Sequence, residues 1–147
     1  MYSIRETRDV FFIRELLSID DVYASMVYDH SSPWEDYIPD MENSLWIVLY
    51  KGNEPAGIVR MQYMNCVLWM PHIAIFKQFR GEGLQWGHIV SERMRDAYGA
   101  KKLLAITPYE AARKYAERVG FKEIGVLKES ARKNGKLLDQ YILEKKL

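Results

Sequence analysis

At 147 residues, 48% hydrophobic and 28% charged, the sequence has the size and make-up of one globular domain spanning 1–147, which excludes disordered and fibrous classes. A formal net charge of +1 gives no field for gathering nucleic acid, and the single Cys66 excludes an internal disulfide. The longest uncharged stretch, 61–76, is too short for a membrane helix, and residues 1–10 lack the basic-then-apolar order of a secretory signal, so a cytoplasmic chain is expected.

Tyr2–Arg5 alternates like a short strand. From Thr7 the spacing predicts a helix with Val10, Phe11, Ile13, Leu16 and Leu17 on one face. Asp20 or Asp21 is expected to cap a second helix through Val22, Met26 and Val27. A long irregular stretch, 29–43, follows, and loops of that length inside compact domains are usually functional. Leu45–Tyr50, Gly57–Tyr63 and Val67–Phe76 read as three strands joined by hairpin-length turns. The loop 78–83 leads into a helix from Leu84 to Tyr98, with Gly99 as its stop.

Leu103–Ile106 reads as the fifth strand. Thr107-Pro108-Tyr109-Glu110 looks like a capping box for a helix carrying Ala112, Tyr115, Ala116 and Val119 and ending at Gly120. Phe121–Glu129 and Lys136–Leu143 are the last strands, joined by an Asn134-Gly135 turn of type I′. The order is β-α-α-β-β-β-α-β-α-β-β. Only the fourth-to-fifth connection crosses over through a helix, so the sequence predicts an α+β fold: a mixed, mostly antiparallel seven-stranded sheet with helices on both faces.

Charge is unevenly spread along this frame. Residues 1–50 carry three Arg and no Lys against ten acids, and residues 51–147 carry eighteen basic residues against ten acids. That division suits a protein holding a polyanion at one place and a cation at another; it also suits ordinary solvated helix faces.

A glycine-containing turn between a strand and a helix makes an anion site, because unpaired amides and the positive helix end converge there. Gln78-Phe79-Arg80-Gly81-Glu82-Gly83-Leu84 is such a turn, with Lys77 and Arg80 adding positive charge. Gln78-x-x-Gly81-x-Gly83 resembles the Q/R-x-x-G-x-G/A signature of the GNAT superfamily of N-acetyltransferases. The element order is similar as well, and so are the run HIAIFKQFRGEGLQ, the ending AERVGF and the terminal hairpin.

The resemblance implies transfer of acetyl from acetyl-coenzyme A to an amine, a small molecule or a protein N-terminus or lysine, in a ternary complex without a metal. It implies that amides around Arg80, Gly81, Gly83 and Leu84 hold the pyrophosphate. The backbone near Ile73 and Ile75 would pair with the pantetheine arm between splayed fourth and fifth strands. Gly83→Trp is expected to block that site and spare the fold. The family's usual helix-borne tyrosine acid falls on Ala116 here; Tyr115 is the neighbouring candidate, and His72 is the candidate base. On the acceptor side, His30, Trp34, Asp36 and Tyr37 could line a place for a cationic amine. The chain would act as a monomer or homodimer. A second reading is a catalytically silent member of the fold with a structural role, similar to small phage-encoded GNAT-like proteins linked to head assembly.

Overall fold

The computed structural model describes residues 1–147. Its elements are β1 (Tyr2–Thr7), α1 (Val10–Leu17), α2 (Val22–Met26), β2 (Ser44–Lys51), β3 (Glu54–Tyr63), β4 (Leu68–Ile75), α3 (Gly83–Tyr98), β5 (Lys102–Thr107), α4 (Glu110–Val119), β6 (Lys122–Lys133) and β7 (Lys136–Lys146). The seven strands form one sheet in the order β1-β2-β3-β4-β5-β7-β6. Every neighbouring pair is antiparallel except β4–β5, which is parallel. No helix is long and apolar enough to cross a membrane.

Side chains alternate between the two faces of a strand, so consecutive buried residues require both faces to be covered. Trp46, Ile47, Val48 and Leu49 of β2 are all buried, as are Ile58 and Val59 of β3. Ile13, Leu16 and Leu17 of α1 and Trp86, Val90 and Met94 of α3 join the same core. Each such large side chain contributes about 1.5–3 kcal/mol by leaving water. At the other edge, β6 is exposed along most of its length.

Three local expectations change. Phe11 points into solvent, because the buried stripe of α1 is Ile13, Leu16 and Leu17 and Phe11 lies on the opposite side of the helix. The α1 cap is Asp9, whose carboxylate accepts from the Phe12 amide at 3.1 Å. Asp20 and Asp21 do not cap α2; both adopt positive φ, 51° and 59°, in a tight turn, and the Asp20 carboxylate accepts from the Lys77 amide at 2.8 Å. The Thr107 hydroxyl accepts from Tyr109 at 3.1 Å, one residue before α4, and Glu110 pairs with Arg113, so no capping box closes there. The turn at Asn134-Gly135 has positive φ at both residues, 53° and 78°, as type I′ requires.

The irregular stretch after α2 is tied down at both ends. Asp29 accepts from the Asn134 and Gly135 amides at 2.7 and 2.9 Å, clamping the β6–β7 turn against α2. Asp40 accepts from the Glu42 and Asn43 amides at 3.0 and 3.1 Å.

Candidate functional site

Strands β4 and β5 pair only at Leu68↔Lys102 and Trp69↔Leu103, then part, although β4 continues to Ile75 and β5 to Thr107. The register says why. Lys102 donates to the Val67 carbonyl at 3.1 Å, so the backbone groups of Val67, Trp69 and residue 71 face β5. The next donor needed on β4 is the amide of residue 71, and residue 71 is proline. The ladder therefore ends and a gap opens.

Beyond that point, the Phe76 amide donates to Ala56 of β3 at 2.8 Å. Alternation then turns the backbone of His72, Ala74 and Phe76 toward β3 and leaves the groups of Ile73 and Ile75 facing the gap. A chain laid into the gap meets free strand-type donors and acceptors there.

The gap leads to the turn before α3. The amides of Gly81, Gly83, Leu84 and Gln85 donate to no group of the protein, and Gly81 holds φ 99°, which L side chains rarely adopt. Glu82 could compete for those amides, but its carboxylate is held by Lys51 at 2.5 Å and by the Tyr2 hydroxyl at 2.8 Å. Those two partners, Lys51 foremost, lower its pKa. Arg80 and Lys77 are exposed beside the turn. The Gln78 side chain points away, donating to Glu54 at 2.7 Å.

Gly83 has a second duty. A Cβ there would stand 2.5 Å from Ile75 Cδ1 and 2.9 Å from the Tyr115 ring, and one at Gly87 would stand 2.7 Å from Val119. The two glycines form one face of α3 on which α4 seats. Gly83→Trp thus cannot spare the fold, contrary to the expectation from sequence.

Tyr115 belongs to this seam. Its hydroxyl donates to the Gly83 carbonyl at 2.8 Å, and burial raises its pKa to about 12. His72 pairs with Gln62 Oε1 at 3.3 Å and lies across from Arg60. Burial first, then the Arg60 charge, lowers its pKa to about 4, so it is neutral at pH 7 and far less basic than a lysine-type amine.

On the acceptor side, Trp34 and Tyr37 pack with Tyr23, and Arg14 lies 4.2 Å from the Trp34 ring centre. His30 stacks on Tyr28, and Asp36 sits in a short 3₁₀ turn. None of these four lines the cavity of about 550 Å³ bounded by Ser25, Tyr109, Lys133, Asn134, Lys136 and Leu138. The lysines and Tyr109 meet only through the hairpin clamp, a signal absent from local sequence. Pro71, in contrast, was visible as a proline inside a central strand.

No family model matches the chain, and no curated protein matches it. Solved structures do. An acetyltransferase from Salmonella typhimurium that modifies the N-terminal serine of ribosomal protein L7/L12 is 13% identical over 99% of this chain and 95% of its own, with a TM-score of 0.79. A mutant spermidine N-acetyltransferase from Vibrio cholerae is 17% identical over 97% and 92%, at 0.76. A ribosomal L7/L12 α-N-protein acetyltransferase in complex with coenzyme A is 14% identical over 99% and 94%, at 0.76. The chain has the GNAT acetyltransferase fold. The predicted α+β order and mixed sheet are those of this fold, while the likeness to phage-encoded proteins finds no support among these structures. At such identities the GNAT likeness carries architecture, and the chemistry has to be argued from the gap and the turn.

Proposed function

We propose that the protein is an acetyl-coenzyme A-dependent N-acetyltransferase acting on an amine. The observation that carries this reading is the interrupted β4–β5 ladder, leading from free strand groups at Ile73 and Ile75 to free amides at Gly81, Gly83 and Leu84. Those amides, at the positive end of α3, suit the pyrophosphate, with Arg80 adding charge. Gln78 contributes as the start of the turn rather than through its side chain. The gap-facing groups of Ile73 and Ile75 suit the amide-bearing pantetheine arm.

Acetyl-coenzyme A supplies an activated acetyl thioester. The protein's part is to align it, exclude water along the gap and offer a β4 amide to the carbonyl oxygen as charge develops. A thiol of pKa near 8.5 leaves as thiolate at pH 7 with a penalty of about 2 kcal/mol, so a strong acid is not required. Tyr115, with its proton committed to Gly83, serves the α3–α4 seam in this reading. His72, neutral at pH 7, serves as a hydrogen-bonding group on β4.

The same two side chains favour a second reading, a fold that binds coenzyme A or serves structurally without turnover. Thiol release from acetyl-coenzyme A across a panel of small amines and peptide N-termini separates the two. Amine-dependent release, weakened about tenfold in affinity by Arg80→Glu, supports the transferase. Coenzyme A binding with no amine-dependent release supports the silent protein.

A further inference from the structure

The cavity of about 550 Å³ lies beside the C-terminal end of β5, the strand that bounds the gap: Tyr109 follows Thr107 by two residues. Its volume falls within the range of small-molecule sites, roughly 300–1,000 Å³. Its opposite walls are Ser25 of α2 and Lys133, Lys136 and Leu138 of the terminal hairpin.

Its charge is one-sided. Neither Lys133 nor Lys136 forms an ion pair. The Lys133 ammonium rests on the Ala24 carbonyl at 2.5 Å and 5.6 Å from the Tyr109 ring centre. Asp29 reaches the same turn but directs its oxygens to the Asn134 and Gly135 amides. No carboxylate lines the cavity. In addition, the Tyr109 hydroxyl is buried with no hydrogen-bond partner. Such groups are rare in folded proteins, and a ligand or water normally meets them.

We propose that this cavity receives the acceptor and that the acceptor amine carries an anionic group, a carboxylate or a phosphate, drawn in by Lys133 and Lys136. The inference rests on the transferase reading and reverses the cation preference expected from the acidic loop 29–43. Two carboxylates of that loop are spent elsewhere, Asp29 on the hairpin and Asp40 on the Glu42 and Asn43 amides and Ser44, and Glu35, Asp36 and Glu42 do not line the cavity.

Calorimetric titration of the coenzyme A-saturated protein with matched pairs tests it: β-alanine against its amide, phosphoethanolamine against ethanolamine, and spermidine as a polycation. The anionic member of at least one pair binds about tenfold tighter, and the pair concerned tells carboxylate from phosphate. Lys136→Glu abolishes the advantage without altering coenzyme A affinity, and high salt shrinks it. Equal affinity within both pairs, no binding by any member, or tighter binding of spermidine overturns the proposal. Coenzyme A affinity, read first in the same cell, judges the transferase reading separately: its presence without anion preference sinks only the acceptor inference.

Discussion

The β4 side and the β5 side of the gap's open end are built from different materials. At the β4–α3 corner the donors are main-chain amides, and the residues that expose them lie within one short segment, from Pro71 to Leu84. On the β5 side, the cavity depends on side chains from residues 25, 109 and 133–138, gathered by Asp29 clamping a hairpin more than a hundred residues away. A site made of backbone is set by where the chain turns. A site made of side chains is set by tertiary contacts, and it can change specificity without disturbing the first.

The largest expected effect comes from the seam under the corner. Gly87→Leu drives a side chain into Val119 and should destabilise the fold by about 3 kcal/mol in chemical denaturation. A neutral result would mean that α4 is not seated on the Gly83–Gly87 face, and the corner would lose its support.

A comparable effect is expected from pH, on the sheet face away from the corner. His72 has a folded pKa of about 4 against an ordinary 6.5, so between those values the unfolded chain binds more protons. Stability is therefore full above pH 6.5, falls as pH drops toward about 4, and levels below, a loss of about 3 kcal/mol from this group. His72→Gln should flatten that part of the stability–pH curve; an unchanged slope would place its origin elsewhere.

Pro71→Val restores the missing rung donor. The expected outcome is a modest gain in stability, about 1 kcal/mol, with roughly tenfold weaker coenzyme A binding as β4 and β5 close further. Stronger binding would show that Pro71 is not what holds the gap open.

The smallest effect separates structure from chemistry at one hydroxyl. Tyr115→Phe removes the bond to Gly83 and should cost about 1 kcal/mol of stability, with kcat changed only a few-fold. A kcat loss of about 10²–10⁴ would instead make Tyr115 the general acid.

Much of the corner was legible because its causes are local. Strand spacing, Gly99 and Gly120 as stops, and Asn134-Gly135 as a turn gave the element order found in the structure. The Gln78–Leu84 turn could be placed between its strand and helix from those signals. The capping box at Thr107 failed because its hydroxyl is taken by the adjacent Tyr109 amide, a competition that spacing alone does not reveal. Phe11 failed because, at about 100° per residue, it falls on the side of α1 opposite the stripe of Ile13, Leu16 and Leu17. Spacing shows the ligand role of Gly83 but not its packing against Ile75 and Tyr115, which needs three elements in place. Trp34, Tyr37 and His30 looked like a waiting acceptor surface, yet they pack with Tyr23, Arg14 and Tyr28.

The most direct test is a crystal structure with coenzyme A bound. The pyrophosphate is expected on the amides of Gly81, Gly83 and Leu84, and the pantetheine arm paired with Ile73 and Ile75 between β4 and β5. Coenzyme A lodged elsewhere, or a gap zipped shut past Trp69 and Leu103 with no ligand at saturating concentration, would contradict it.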